Sequence, residues 1–577
     1  MVKLLAGSNW EITDPEVSNL YGWITNGFAP LMYHGAMMDM VRGRAIASSS
    51  SDESEVGAKV IGNIRSVATF APADVATQLL AFADSPQVAP GQYHFASMDR
   101  VAAHRNGFSF GLSMSSTRVG GYEINTTSPT NLKGWYTGAG VTYLYLGNPD
   151  TQYMDDYWAT IDYYHLPGTT ADLSPLSVIP SEAVAGVTDE SWVGGAQVSK
   201  TYGVAGMSAH PNGTQLYAKK SWFMLDDEVV CLGAGITCTS GGEVDTTVEN
   251  RKLGKTGTTT FNIADTAYSL AAPTTWANPV TVSTGTSPTW CVLDGVAGYY
   301  FPEGGSNLQA QFTSESGSWK TINPTDSDTA TYTDYYLKLL LKHGANPTGA
   351  KYAYVILPNR TVSSVKAYAA NPDVTILSNT EPTSTTAGIQ AVKSQILGVV
   401  AANFWAKTGG PDNGGTADII TVNKQCSVIV KETYNSISVG VADPTQSAAG
   451  TISVTLNGRA SLATLSVDSG VTVTGTSPIT LSVNVSGSKG KSFNASFSLA
   501  PSPVITSNAN MVAINGKPLS FQVAADNSPT FYGAIGLPAG LSINTATGLI
   551  SGAATENGTF NATISAANSA GTGYASL

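Results

Sequence analysis

The chain has 577 residues, more than one hydrophobic core supports, so several domains are predicted. Charged residues make up only 12% of it and Gly is abundant with 59 residues, which favours a mainly β, loop-rich protein over a helical bundle or a disordered chain. The net charge of -12 without a Lys/Arg cluster argues against nucleic acid as a partner, and no run of about 18 apolar residues is present to span a membrane.

Two helical stretches are predicted near the beginning. Between residues 17 and 31 the apolar residues recur every three or four positions, as on a helix with one buried face. We expect this helix to end near residues 42–44, because glycine interrupts the run and two arginines two positions apart diverge on a helix. A second helical stretch runs from residue 56 to about 82, interrupted near Pro72. The first apolar run is too short for a signal peptide.

From Phe108 the periodicity becomes that of a β-strand. In FSFGLSMSS the large apolar residues alternate with serine and glycine, which predicts a half-buried strand. Similar runs follow as VTYLYL, YAYVILP, CSVIVKE, SISVGVAD and TISVTLNG, separated by clusters of Gly, Pro, Asn and Asp. A large antiparallel β-sandwich is the expected architecture.

The sequence changes character near residues 500–503, which read Ala-Pro-Ser-Pro. The segment that follows has the length and short strands of one small sandwich domain. It resembles the immunoglobulin-like or cadherin-like repeats of bacterial surface and secreted proteins, in LPAGLSIN and GLISGAATENGTF. The resemblance implies a spacer or adhesion unit.

Cysteines and histidines show no metal-binding pattern. The cysteines lack a CxxC pair, which favours buried thiols, and a disulfide between Cys231 and Cys238 stays open. The six histidines are scattered without ligand spacing. No cofactor is therefore predicted, and a structural calcium ion is left open. The sequence also has no GxSxG elbow and no phosphate-binding loop.

Residues 131–172 are unusually rich in aromatic side chains. The aromatic residues are Trp135, Tyr136, Tyr143, Tyr145, Tyr153, Tyr157, Trp158, Tyr163 and Tyr164. They could line a sugar-binding cleft, because aromatic faces pack against pyranose rings, or they could form the core of a sandwich. The alternation favours the core for Tyr143 and Tyr145.

Several ordered segments together resemble polysaccharide lyase family 8, which contains hyaluronate, chondroitin AC and xanthan lyases. The central domain of that family is similar to FSFGLSMSSTRVGGYEIN, NLKGWYTGAGVTYLYL, DYWATIDYYHLPGTTAD, KSWFMLDDEVVCLGAGI, TTVENR and YYFPEG. The last part of its helical toroid resembles GFAPLMYHGAMMDMVRGRAI, and its C-terminal β domain resembles YAYVILPNRTVSSVKAYAANPDVTILSN. The resemblance covers residues 1 to about 500.

The resemblance implies a domain order and a cellular location. It places the end of an (α/α) toroid at residues 1–88, a large antiparallel β-sandwich at 89–357 and a smaller C-terminal β-sandwich at 358–500, with the Ig-like β-sandwich at 501–577. It also implies a secreted protein whose partner is an anionic polysaccharide. The acidic net charge permits that partner, because a local cleft can be positive on an acidic protein.

The resemblance implies β-elimination beside a uronic acid. In the family an asparagine neutralises the carboxylate, a tyrosine and a histidine remove the adjacent proton, and an arginine and a glutamate orient them. Arg44 matches that arginine, and Glu123 in GGYEIN matches the glutamate. A fixed positive charge there would favour a tyrosine phenolate and hold an anionic substrate. For Arg44 alone, a salt bridge closing a helix end is the alternative.

Three substrate-binding residues are also expected from the resemblance: Asn131, Trp135 and, less securely aligned, Asn125. The chain departs from the family pattern at several points. Ser48 stands where the family often has a second arginine, NTTSPTN replaces NGEN, and Ala139 replaces an acid. These departures put the substrate subsite in doubt.

The catalytic asparagine, histidine and tyrosine of the family precede the segment that resembles MDMVRGR, and no similar segment occurs in the 37 residues before it. Two hypotheses follow: a lyase that is active in a complete form containing the rest of the toroid, or a non-catalytic β-rich protein that binds glycans or another polypeptide. Both predict apolar side chains facing water. The residues concerned are Trp10, Trp23, Phe28 and Leu31.

Overall fold

The computed structural model is mainly β, as predicted. The residues that it describes are 2–5, 7–50, 52–125, 127, 129–147, 150–176, 186–281, 289–304, 307–409, 412–499, 501–508, 510–568 and 571–577. Within these ranges no helix is long and apolar enough to cross a membrane.

The N-terminal segment is helical. Its helices are α1 (Val2–Leu5), α2 (Glu16–Trp23), α3 (Glu53–Ala68) and α4 (Ala73–Asp84). The α2 helix continues as a π-helix over Ile24–Phe28 and a 3-10 turn over Ala29–Leu31. Asp52 caps α3 by accepting a hydrogen bond from the Glu55 amide at 2.9 Å.

The two predicted helical stretches are confirmed, but the expected end of the first near residues 42–44 is wrong. The helical run ends at Leu31, because Met32 is extended and begins a strand, and Pro30 just before it has no N–H to continue the preceding turns. The short strands β1 (Met32–Tyr33) and β2 (Ala36–Met37) then form a hairpin. Leu31 is buried in the aromatic core, so its expected exposure is also wrong.

A four-stranded sheet joins the helices to the central sandwich. Its strands, in sheet order, are β3 (Gly91–Phe95), β4 (Arg100–Arg105), β5 (Phe108–Ser113) and β6 (Val141–Leu146). Every residue of β5 is buried, so the prediction of a half-buried strand is wrong. Met40 packs over Gly111 on the serine-and-glycine face, and a distant segment therefore covers the side expected to meet water.

The central sandwich consists of two large antiparallel sheets around an apolar core. The first sheet contains β8 (Val193–Val198), β9 (Tyr202–Ala209), β10 (Tyr217–Met224), β11 (Val229–Thr237), β13 (Thr259–Ile263), β14 (Thr266–Leu270), β16 (Thr289–Leu293), β17 (Ala297–Phe301) and β20 (Ala350–Pro358). The second contains β7 (Thr170–Asp172), β12 (Glu243–Lys252), β15 (Val280–Thr281), β18 (Leu308–Gly317) and β19 (Tyr332–Ala345). The short helix α5 (Tyr157–Thr160) precedes β7.

A smaller sandwich follows the helix α6 (Val362–Ala370). One sheet contains β21 (Val374–Asn379), β22 (Gly388–Ser394), β23 (Val399–Trp405), β26 (Cys426–Glu432), β27 (Ser436–Ala442), β29 (Ser461–Val467) and β32 (Phe493–Leu499). The other contains β24 (Gly415–Ala417), β25 (Ile420–Val422), β28 (Thr451–Leu456), β30 (Val471–Thr476) and β31 (Ile479–Asn484). The alternating burial of β28, β31 and β32 is typical of sandwich strands with one face in the core.

The C-terminal domain has two small sheets, as its turn-rich sequence predicts. Their strands are β33 (Pro518–Gln522), β34 (Phe531–Ile535), β35 (Leu541–Ile543), β36 (Leu549–Ala553), β37 (Thr563–Asn568) and β38 (Gly571–Ser576). Val523, Ile550 and Ile564 form the buried centre of this domain. The four cysteines of the chain are buried and unpaired, with Cys231 and Cys238 not joined.

Candidate functional site

Arg44 and Glu123 form a two-point contact at the junction of the helical segment and the central sandwich. The Arg44 Nη1 atom lies 2.7 Å from Glu123 Oε1, and the Arg44 backbone amide donates to Glu123 Oε2 at 3.0 Å. The two side chains are 48% and 51% exposed. Both groups are therefore fixed relative to each other and still reachable from solvent.

The glycine between the two arginines makes this contact possible. Gly43 begins a 3-10 turn over Gly43–Ile46 and has a φ of +56°, which favours glycine. A Cβ atom at this position would overlap the Glu123 carboxylate. The sequence Arg-Gly-Arg thus places a backbone amide and a guanidinium on one carboxylate.

Arg42, two residues earlier, has a different environment. Its Nη1 atom lies 2.5 Å from Asp39 Oδ1, and both side chains are almost fully buried. Trp158 Nε1 donates to the other Asp39 oxygen at 2.6 Å. Burial raises the pKa of Asp39, while Arg42 and Trp158 act in the opposite direction. Burial and the nearby Asp39 carboxylate raise the pKa of Glu53 well above its usual value.

Of the expected substrate-binding residues, Asn125 and Asn131 lie close to Glu123, whereas Trp135 packs in the aromatic core. Asn131 is buried in a left-handed backbone conformation with a φ of +62°, and its Nδ2 atom donates to the Glu123 carbonyl at 2.8 Å. Asn125 pairs with Thr130 across the same loop. Trp135 is buried, and its ring lies 5.3 Å from that of Tyr164. A substrate contact of these residues stays a prediction.

The aromatic residues of 131–172 mostly form a core. The aromatic side chains at positions 135, 136, 143, 145, 153, 157, 158 and 163 are buried, and Tyr164 is partly buried against them. Several of their rings meet edge to face, as with Tyr157 and Trp158 at 5.0 Å. The core interpretation is thus confirmed for Tyr143 and Tyr145.

The side chains of Tyr33 and His34 are engaged beside the aromatic core. The Tyr33 hydroxyl donates to the Gly147 carbonyl at 2.9 Å, and its ring lies 5.7 Å from that of Tyr145. His34 lines a cavity of about 360 Å³ below α3 and α4. Within the described part of the chain, no group of three or more His, Cys, Asp or Glu residues is placed to hold a metal ion.

The sequence patterns do not predict a further concave region of the structure. A cleft of about 1010 Å³ is lined by residues from several separate segments, including Gln152, Asp156, Lys252 and Asp334. These segments are far apart in the sequence and share no motif, so only the fold brings them together. Neither Arg44 nor Glu123 lines this cleft.

The chain matches three domains of one enzyme family and one further domain. The matches are the N-terminal alpha-helical domain of polysaccharide lyase family 8 at residues 1–83, its super-sandwich domain at 90–369, its C-terminal beta-sandwich domain at 375–453 and an Ig domain at 501–577. These matches follow the order of the folded units.

Individual relatives agree with the domain matches. A xanthan lyase of Bacillus sp. (strain GL1) is 39% identical over 550 residues, which cover 86% of this chain and 55% of that protein. A hyaluronate lyase of Thermasporomyces composti is 34% identical, over 79% of this chain and 60% of its own length. The chain therefore spans little more than half the length of these relatives.

Solved structures show the same likeness. A Paenibacillus xanthan lyase superposes with a TM-score of 0.77 at 30% identity, covering 96% of this chain and 62% of that one. The chondroitin AC lyase of Streptomyces coelicolor A3, in complex with chondroitin sulphate, gives 0.72 at 30% identity, covering 86% and 67%.

Proposed function

The chain belongs to polysaccharide lyase family 8, and from this premise we propose that in its complete form it cleaves a uronate-containing anionic polysaccharide by β-elimination. The substrate would be of the hyaluronan, chondroitin or xanthan class, which are the polymers that the names of its relatives give. The observation that carries the proposal is the exposed two-point contact between Arg44 and Glu123.

The chemistry of β-elimination explains why such a pair is useful. A proton beside a carboxylate is very weakly acidic until hydrogen bonds stabilise the charge that moves onto the carboxylate, and a positioned base must then remove it. Arg44 supplies a permanent positive charge for an anionic substrate and for a nearby phenolate. Glu123 fixes the direction of that guanidinium. Neither group suits the removal of a carbon-bound proton, so both have supporting roles.

We further propose that the proton-removing centre is formed with additional toroid helices. Trp10, Trp23 and Phe28 support this, because their side chains are 79%, 64% and 49% exposed on the helical segment. Large exposed aromatic side chains in one segment are typical of a surface that another element covers. A polymer substrate also supports action outside the cell, as for a secreted protein.

A complementation assay tests this function. The 577-residue chain is mixed with the part of the Bacillus xanthan lyase that lies outside its matched 550 residues, and hyaluronan, chondroitin and xanthan are offered separately. We expect the ultraviolet absorbance of an unsaturated uronate to rise with at least one polymer, only when both polypeptides are present. Arg44→Ala and Glu123→Ala should each lower the rate about 100-fold, the usual effect of losing one stabilising contact in a transition state.

The alternative is a non-catalytic protein that binds glycans or another polypeptide through its β domains. Ser48 and Ala139 favour it, because they remove a cation and an acid that the family pattern places near the site. Binding of a polymer without any product in the complemented assay would support this alternative. Product formation by the chain alone would contradict the need for additional helices.

A further inference from the structure

The cleft of about 1010 Å³ has a composition unlike the Arg44 site. Its walls come from the loop after β6, the end of β12, the start of β19 and the turn between β16 and β17. Carboxylate and amide side chains dominate its polar lining. These are Asp150, Gln152, Asp155, Asp156, Asp328, Asp334 and Asn359.

One buried polar group of this cleft has no hydrogen-bond partner among the described residues. The Gln152 Nε2 atom is buried without an acceptor, whereas the buried Asp334 carboxyl interacts with the Asp156 carboxyl beside it. Buried polar groups are nearly always satisfied by protein, water or ligand. An unpaired amide on the wall of an open cleft indicates that a polar ligand completes its bonding.

The charges of the cleft disfavour an anionic ligand. Lys252 donates to the Met154 carbonyl at 2.7 Å and lies 3.9 Å from Asp156, and Lys255 lies 3.9 Å from the same carboxylate. Arg251 is buried and donates to the Leu144 carbonyl at 2.9 Å. A uronate or sulfate would therefore meet one exposed lysine, two engaged cations and five carboxylates. Sugar hydroxyls, in contrast, donate well to carboxylates and accept from an amide.

The cleft continues toward the segment that carries Arg44. A smaller cavity of about 170 Å³ shares Ser49, Asp155 and Trp319 with it and extends to Ile46 and Ser48. The Ser49 hydroxyl donates to Asp326 Oδ1 at 2.5 Å, which fixes this junction. A polymer chain could thus occupy both the cleft and the neighbourhood of Arg44.

We propose that this cleft is a saccharide-binding site for neutral sugar residues of a polysaccharide, with Gln152, Asp156 and Asp334 receiving their hydroxyl groups. The site holds a neutral stretch of the polymer beside the segment of Arg44. This goes beyond the proposed function, because binding in the cleft does not require elimination at the Arg44 site.

Calorimetric titration of the full 577-residue chain tests the site. The probes are the neutral hexasaccharides cellohexaose, maltohexaose and mannohexaose, with a hyaluronan hexasaccharide as the anionic comparison. We expect at least one neutral hexasaccharide to bind. Its dissociation constant should be more than ten times smaller than that of the hyaluronan hexasaccharide. Failure of all three neutral probes to bind would overturn the proposal.

Two variants locate the binding. Gln152→Ala removes an amide without a protein partner and Asp334→Asn keeps the side-chain shape, so both should fold, and each should weaken the neutral probe at least tenfold. Gln197→Ala is the matched control, because the Gln197 Oε1 atom is also buried without a donor but does not line the cleft. Unchanged affinity in both cleft variants would refute the assignment. If the complemented assay shows no elimination while the neutral hexasaccharides still bind, the proposed function is refuted and the saccharide site is not.

Discussion

The Arg44 guanidinium and amide hold the Glu123 carboxylate across 79 residues of sequence, at 2.7 and 3.0 Å. The contact joins the helical segment to the loop that follows β5. Because both side chains are about half exposed, water screens the pair and it adds little to stability. Support of the fold therefore does not explain its position, and orientation of a reacting group stays our proposal.

Arg42 and Arg44 should respond differently to truncation. Arg42→Ala leaves the buried Asp39 carboxylate without its ion-pair partner, and we expect a loss of about 3–5 kcal/mol in the free energy of unfolding. Arg44→Ala should cost less than about 1 kcal/mol. Urea unfolding followed by tryptophan fluorescence measures both. Equal losses in the two variants would contradict the separate roles given to these arginines.

Gly43→Ala should disturb the Arg44–Glu123 contact. The new Cβ atom would overlap the Glu123 carboxylate, and the left-handed backbone adds strain of about 1–2 kcal/mol. We expect the complemented lyase rate to fall as far as in Glu123→Ala. Gly241→Ala is the matched control, since Gly241 has a φ of +88° and a Cβ atom added there would meet no other atom within 4 Å. It should lose comparable stability and keep the rate.

Local pattern was sufficient for much of the fold and for little of the site. The periods of 3.6 and 2 predict the helices after residue 56 and the sandwich strands, because most of these elements bury a face set by their own sequence, although β6 and most of β20 are buried on both faces. The second face of β5 could not be predicted, because Met40 from another segment covers it. Pro30 is the sequence signal for the end of the first helical run, which the apolar spacing alone does not show.

The site residues show the same limit more strongly. Nothing in the spacing of Arg44 and Glu123 indicates contact, and only the resemblance to a known family brought them together. Gln152 and Asp334 had no such guide. Their common feature is burial in the wall of one cleft, which becomes visible only when all neighbours are placed.

A charge network around His165 should make stability depend on pH. His165 Nδ1 lies 2.7 Å from Asp162 and its Nε2 lies 3.1 Å from Asp245, while Lys338, Lys342 and Glu315 complete the network. Burial lowers the pKa of His165, but hydrogen bonds to the two aspartates outweigh it and leave the pKa raised. The stabilisation is therefore full below the unfolded pKa and is lost as pH rises through the folded pKa.

Unfolding in urea at about pH 6 and about pH 9 measures this contribution. We expect His165→Gln to remove more stability at the lower pH than at the higher. His210→Gln is the control, because His210 binds the exposed Asp189. A loss in His165→Gln that is the same at both pH values would show that the imidazole does not act through its charge.

In contrast to His165→Gln, the variant Asp334→Asn should be more stable than the parent chain at alkaline pH. Burial, followed by hydrogen bonding with and repulsion from Asp156, raises the pKa of Asp334 to about 7. A carboxyl with a raised pKa binds its proton more tightly in the folded state, so its contribution is full below the unfolded pKa and is lost as pH rises through about 7.

Asp334→Asn removes this titration. We expect its melting temperature to exceed that of the parent chain by a few degrees at about pH 8 and to approach it at about pH 5. Asp265→Asn, at an exposed position, should follow the parent at both pH values. A variant less stable than the parent at the higher pH would mean that the ionised Asp334 is stabilised in the cleft by groups other than those near Asp156.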